Sequence, residues 1–390
     1  MGEVSGEVEA ISAEYALADV LDDIFEYLKI RDLSIAGSVC KMWHQAALRI
    51  LAKRGPERQL LPAFGGQLYT VMNVKPFVAF LFIGPSKRER NIKELEIDVL
   101  NRYKKFFTRH LIAVGVDESM MDDKPIISCD GLLGTANGIL GLFIPQYRGL
   151  QIKVKRLHRA SESVSSIINS LVPDDKSAKT AMILFARPYG YDGTILEQIK
   201  RTFKQKRYTL WGGSFDDKLL ATDRMVDANA FMADSNSSDD EFYDAETIYD
   251  DGYYPQVDHY GSTAMFALSI SGSKFDSWST MINCLAPKLE VDKKLLDFRQ
   301  HLKLKRRTIG LACGPRYVEG CVIMNKDYEQ IYMTSHELMD VVKKTLPGIP
   351  FIGIFNFGYY SHFGVDSTID DSNQRLGQQM ALALMILTYD

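Results

Sequence analysis

Apolar positions follow two rhythms along this chain. Between Val20 and Trp43 they fall at Val20, Leu21, Ile24, Phe25 and Leu28, then at Leu33, Ile35, Val39, Met42 and Trp43. Steps of three and four with polar residues between them predict two or three short helices. Beyond residue 76 the rhythm changes to short apolar runs bounded by turn residues. These runs predict strands at 77–84, 110–116, 138–145, 151–158, 180–188, 208–214, 263–272, 308–314 and 351–357. Helical periodicity lies between several of them, at 88–107, 161–171, 191–206, 291–303 and 334–346. The expected class is α+β or mixed: a small three-helix unit, then a large α/β region with mixed sheets. Pro56, Pro62, Gly65 and Gly66 mark 53–75 as a connector between the two. No short tandem repeat is evident.

The helical unit has its own punctuation. Asp19 is placed to cap the first helix, Asp22 and Asp23 lie in its first turns, and Asp32 is placed to cap the second. Three helices with so few apolar residues are expected to lack an independent core. Their apolar side chains then need a cover, either a partner or the rest of the chain.

Composition narrows the class. The chain has 390 residues, 46% hydrophobic and 25% charged, enough for a sizeable core and two or three domains. No apolar run reaches the length of a membrane span. The acidic start MGEVSGEVEA has no signal-peptide core. Cys40, Cys129, Cys284, Cys313 and Cys321 are scattered and odd in number, which with no signal peptide predicts free thiols in a cytoplasmic or nuclear protein. The formal net charge of −4 conceals an acidic block. From Met225 to Ser273 there are ten acids and no Lys or Arg, so 46 basic residues face 40 acids elsewhere. Residues 233–258, rich in Ser, Asp and Tyr, read as a disordered insertion between strands.

Catalytic signatures are sparse. The sequence holds no GxSxG elbow, HExxH helix, phosphate-binding loop or CxxC pair. GLLGTANGILG lacks dinucleotide spacing and reads as a turn entering a close-packed strand. His336 and His362 have no partner at metal-ligand spacing. Neither a metal nor a cofactor is expected, and no basic stripe interleaved with aromatics suggests nucleic acid. Cys313, beside Gly314 and Arg316, reads either as a half-buried structural cysteine or as a thiol of lowered pKa.

Leu21, Ile24-Phe25-Glu26-Tyr27-Leu28, Asp32-Leu33 and Val39-Cys40-Lys41-Met42-Trp43 resemble the F-box in residue type and spacing. The F-box usually opens with Leu-Pro, where this chain has Ala16-Leu17, and carries proline after its first helix, where this chain has Lys29 and Ile30. Downstream, IPQYRGLQIKVKRLH, YTLWGGSFDD, FALSISG, TIGLACGPRY and LPGIPFIGIFNFGYYSHFG are similar, in that order, to the FIST region of F-box proteins that carry a FIST domain. The resemblance implies an F-box at 12–52, the connector at 53–75 and a FIST-like substrate-recognition domain at 76–390. It further implies a non-catalytic substrate receptor of an SCF-type ubiquitin ligase, with Skp-family adaptor, cullin and RING subunit as partners. Candidate adaptor contacts are Val20, Leu21, Ile24, Phe25, Leu28, Leu33, Val39, Cys40 and Trp43, some of which must form the mutual core of the helices. Candidate substrate or ligand contacts are loops at strand ends: Gly212-Gly213-Ser214, Cys313-Gly314-Pro315-Arg316 and Asn356-Phe357-Gly358.

Within the acidic block, Glu241-Phe242-Tyr243-Asp244-Ala245 resembles the core of an FFAT motif, with Asp239 and Asp240 as its acidic flank and Thr247 where a later acid is usual. That resemblance implies a VAP MSP domain as partner and peripheral recruitment to the endoplasmic reticulum. Ser237 and Ser238 are phosphorylation candidates, and the same tract also reads as a plain solvated acidic loop. Two other functions stay open: a FIST-type small-ligand sensor that joins no ligase, and an enzyme with Cys313 as nucleophile.

Overall fold

The structure is a computed structural model. It describes residues 20–61, 72–74, 76–84, 110–128, 138–145, 149–158, 164–175, 178–186, 193–203, 208–215, 219–222, 263–316, 334–356, 362–367, 376–378 and 380–390. The acidic block, with Ser237, Ser238 and 241–245, lies outside the described residues, as do the helix expected at 88–107, Phe357 and Gly358.

Three helices open the described chain: α1 (20–26), α2 (Ile30–Gly37) and α3 (Lys41–Lys53). Contrary to expectation they share a core. Leu21, Phe25, Leu33, Ala36, Ala46, Ala47 and Ile50 are buried together, with Leu28, Met42, Trp43 and Leu51 packed around them. Small residues make this possible, because Gly37 sits where an added Cβ would press on Ala47 and the helices can approach closely. Asp22 joins α1 to α3 through Arg49 at 2.8 Å and Lys53 at 3.4 Å. The Arg49 hydrogen bond holds its carboxyl below the usual range, against the opposing effect of partial burial. Asp32 is not a cap: α2 begins at Ile30 after Lys29, which places Asp32 in the first turn.

The connector is shorter than the sequence suggested, because part of 53–75 is strand. β1 (Glu57–Leu61) pairs antiparallel with β6 (Ile139–Pro145). The other strands are β2 (Pro76–Ile83), β3 (His110–Gly115), β4 (Glu118–Met121), β5 (Lys124–Ser128), β7 (Leu150–His158), β8 (Thr180–Ala186), β9 (Tyr208–Ser214), β10 (Leu219–Thr222), β11 (Thr263–Gly272), β12 (Phe275–Asn283), β13 (Arg307–Pro315), β14 (Phe351–Asn356), β15 (His362–Gly364), β16 (Gly377–Gln378) and β17 (Ala381–Tyr389). Among the described residues four helices interleave with them: α4 (Val164–Leu171), α5 (Gly193–Phe203), α6 (Lys288–His301) and α7 (Ser335–Thr345).

These strands form three sheets, ordered β1-β6-β2-β3-β10, β16-β15-β9-β8-β11-β7 and β12-β17-β13-β14-β4-β5. Each sheet contains the same five-strand unit. A parallel pair sits inside (β2/β3, β8/β9, β13/β14). Its first strand pairs antiparallel with a returning strand (β6, β11, β17). That strand in turn pairs antiparallel with the strand that opened the unit (β1, β7, β12). The chain therefore traces one topology three times, over 57–145, 150–272 and 275–389.

The fifth strand of each unit comes from another repeat. β10, from the second repeat, pairs with β3 of the first; β15, from the third, pairs with β9 of the second; β4, from the first, pairs with β14 of the third. The exchange closes in a ring. A long-period repeat of this kind leaves no short tandem signal in the sequence.

One core joins the sheets, with Phe80, Phe82 and Val114 from the first, Phe185, Trp211 and Phe266 from the second, and Leu311, Cys313, Ile354 and Ala383 from the third. The opposite face of the third sheet is covered by α6 and α7, and that of the second by α4 and α5. The opposite face of the first sheet buries Leu61, Met72, Val74, Leu81, Ile83 and Phe143, and Ile30 of α2 packs against it.

Candidate functional site

Two regions gather the residues singled out in the sequence. The first is the helical head, where the nine candidate contacts divide by burial. Leu21, Phe25 and Leu33 lie inside the head, and Leu28 and Trp43 are half-buried. Trp43 meets Phe25 edge to face at 5.4 Å, so it belongs largely to the core of the head. Val20, Ile24 and Val39 are 52%, 52% and 62% exposed, and Cys40 is exposed too. Tyr27, Ile35 and Leu48 are exposed apolar residues that motif matching did not single out as contacts. With its core satisfied internally, the head still presents a set of large apolar side chains to solvent. For Val20 and Ile24 the signal in the sequence was an apolar residue directly before a buried one, Leu21 or Phe25.

The second region lies at the carboxyl ends of β13 and β14, adjacent parallel strands whose last residues, Pro315 and Asn356, stand side by side. Arg316 follows directly, and its N–H donates to the Asn356 carbonyl at 2.8 Å. Its guanidinium reaches the Glu118 carboxylate at 3.0 Å, and both side chains are almost fully buried. Glu118 heads β4, the strand exchanged from the first repeat. It also accepts a hydrogen bond from Ser335 Oγ at 2.9 Å and lies 3.3 Å from His336 Nε2. Asn356 Oδ1 accepts the Asp117 N–H at 3.2 Å.

The sequence places Ser335 and His336 in the first turn of α7. Thr334 and Glu337 form a capping box, each satisfying a backbone N–H of the other, and this fixes where the helix starts. Carboxylate, guanidinium, hydroxyl and imidazole thus converge where open α/β sheets commonly bind ligands. Only half-buried His336 of that set reaches solvent. Sequence reasoning found Arg316 and Asn356 but missed Glu118, Ser335 and His336. The helix that carries the last two was legible as periodicity at 334–346, but nothing in that periodicity pointed to Glu118.

Among the described residues, the remaining expected contacts are not open loops. Gly212, Gly213 and Ser214 are buried within β9. Gly212 has φ +141°, and an added Cβ would collide with the Leu184 backbone, so this glycine serves strand approach. Cys313 is 1% exposed, and burial pushes its thiol up, away from the thiolate a nucleophile needs. Among the described residues no group of His, Cys, Asp and Glu could hold a metal ion. No described helix is long and apolar enough to cross a membrane.

No family model matches the sequence, and no curated protein matches it. Among solved structures the chain is similar to cyanuric acid hydrolase from A. caulinodans. The match has 10% identity and a TM-score of 0.30, and covers 81% of this chain and 90% of that one. A likeness this distant carries no argument about activity.

Proposed function

We propose that this chain is the substrate-recognition subunit of an SCF-type ubiquitin ligase, its head held by a Skp-family adaptor and its FIST-like region selecting a protein substrate. The observation that carries the reading is the division within the head. Residues of the F-box-like pattern supply a private core, and others of the same pattern, Val20, Ile24 and Val39, stand in solvent. Burying a large apolar side chain stabilises by roughly 1.5–3 kcal/mol, so a few such anchors are enough to hold a partner. Ubiquitin transfer would belong to the RING subunit and its conjugating enzyme; this chain would supply proximity. The test compares protein abundances in cells that lack the chain and are supplied with wild type or with Ile24→Glu. Proteins that accumulate without the chain should fall again only with wild type. Equal clearance by Ile24→Glu would refute the reading.

A second reading, a small-ligand sensor, is favoured by the Glu118, Arg316 and His336 cluster at the strand ends. On that reading the FFAT-like tract at 241–245 would tether the chain to VAP at the endoplasmic reticulum. It requires a head that binds no Skp-family adaptor.

A further inference from the structure

We infer that Arg54 is a positioning residue, the centre of a latch that fixes the helical head to the sheets; its consequence for ubiquitin transfer rests on the ligase reading above. Arg54 directly follows α3 and its guanidinium faces three carbonyls. Nη2 donates to Phe25 O of α1 at 3.2 Å and to Leu28 O just beyond it, and Nη1 donates to Asn73 O. One planar cation thereby joins the first helix, the third helix and the chain entering β2.

A second limb is built on Asn73. Its side chain donates to Glu57 of β1 at 2.6 Å and accepts from Lys29 Nζ at 2.9 Å, while its own N–H donates to the Glu57 carboxylate at 2.8 Å. Beside it the Ile30 N–H donates to Met72 O at 2.9 Å. A third limb reaches the third sheet. Arg307 Nε donates to Lys53 O at 2.7 Å, and its alkyl chain packs alongside Gly55, where an added Cβ would be in van der Waals contact with it.

These limbs engage all three helices, and none of them uses Val20, Ile24, Tyr27 or Val39. Phe25 O also accepts the Leu28 N–H at 3.2 Å, but helix ends leave carbonyls beyond the reach of the helix's own N–H groups, and a fork of N–H groups reaches Phe25 O and Leu28 O together. Lysine offers a point charge on a flexible stem and cannot reproduce the fork. With the head latched, an adaptor bound to it keeps a fixed relation to the sheets. A flexible tether would instead dilute a bound substrate around the ligase, with effective concentration falling as free length grows.

The experiment uses the full chain with purified Skp-family adaptor. Amide hydrogen exchange is followed at Ile30 and Val74. Head-to-sheet distance is read by pulsed electron resonance between spin labels at Leu48→Cys and Leu304→Cys, in a background carrying Cys40→Ser, Cys129→Ser and Cys321→Ser. Adaptor affinity is measured with the native cysteines in place. Arg54→Ala should speed exchange at both amides roughly tenfold and broaden the distance distribution, with adaptor affinity unchanged. Arg54→Lys should behave like Arg54→Ala. Asn73→Ala, outside the head, should loosen the same distance even if Arg54→Ala fails to fold. Unchanged exchange and an equally narrow distribution in Arg54→Ala and Asn73→Ala would overturn the latch, as would rescue by Arg54→Lys. Should wild type itself fail to bind the adaptor, the ligase reading falls, while exchange and distances still decide the latch.

Discussion

Ile24 and Phe25 are neighbours in the chain with opposite surroundings, one half in solvent and the other sealed inside the head. Ile24→Glu should leave the head folded and weaken adaptor binding by about 2 kcal/mol, roughly thirtyfold. Phe25→Ala should instead unfold the head, seen as lost helical signal from 20–53 in exchange experiments. Asp122 offers a test in the sheets. It accepts from Arg58 at 2.6 Å, from Lys343 at 2.8 Å and from the Phe351 N–H at 3.0 Å, joining β1, α7 and β14. Burial works to raise its pKa, but hydrogen bonds from Arg58 and Lys343 outweigh that and hold it at about 2, below its ordinary 3.8. A depressed carboxyl stabilises the fold above its unfolded pKa, and this contribution is lost as pH falls from about 4 towards 2. Asp122→Asn should cost about 2 kcal/mol at pH 7 and flatten the acid limb of the stability curve. Asparagine tolerates the φ of +59° at this turn, so backbone strain should not contribute. Denaturant titrations from pH 2 to 7 give both quantities. An Asp122→Asn protein with an undiminished acid limb would place the pH dependence elsewhere.

At the scale of elements, β1 decides where the chain can be divided. A fragment of residues 76–390 lacks β1 and bares the edge of β6, and it loses Leu61, Met72 and Val74 from their cluster. It should aggregate or melt well below a fragment of residues 55–390, as light scattering and calorimetry would show. The acidic tract makes a separate prediction. A 230–252 peptide should bind a VAP MSP domain more weakly as salt rises, and lose binding with Phe242→Ala. Absence of binding by both plain and Ser237/Ser238-phosphorylated peptides would leave a solvated loop. The expected strands that formed were continuous apolar runs such as 77–84 and 263–272. β17 escaped because ALALMILTY is dominated by Ala, Leu and Met, which favour helix as readily as strand. β12 escaped because Asp276, Ser277, Ser279 and Thr280 interrupt its apolar pattern. The cluster around Glu118 was illegible for another reason. Its members meet across some two hundred residues, and only the strand exchange brings them together.

In the whole molecule, ring-wise exchange of β4, β10 and β15 ties each repeat to the next, so no repeat should be a separate folding unit. Truncation before β17 should therefore abolish the single unfolding transition of the sheets rather than remove one third of it. The helical head differs in having its own core; on the proposed reading it serves a partner while Arg54 and Asn73 hold it in place. Whether that partner is a Skp-family adaptor is the claim on which the function turns. The most direct measurement is calorimetric titration of purified adaptor into the full chain, with Ile24→Glu and the distant surface variant Leu296→Glu as comparisons. The account predicts saturable one-to-one binding for wild type and Leu296→Glu, weakened at least tenfold by Ile24→Glu. No heat of binding for wild type, or equal affinity in all three proteins, would contradict it.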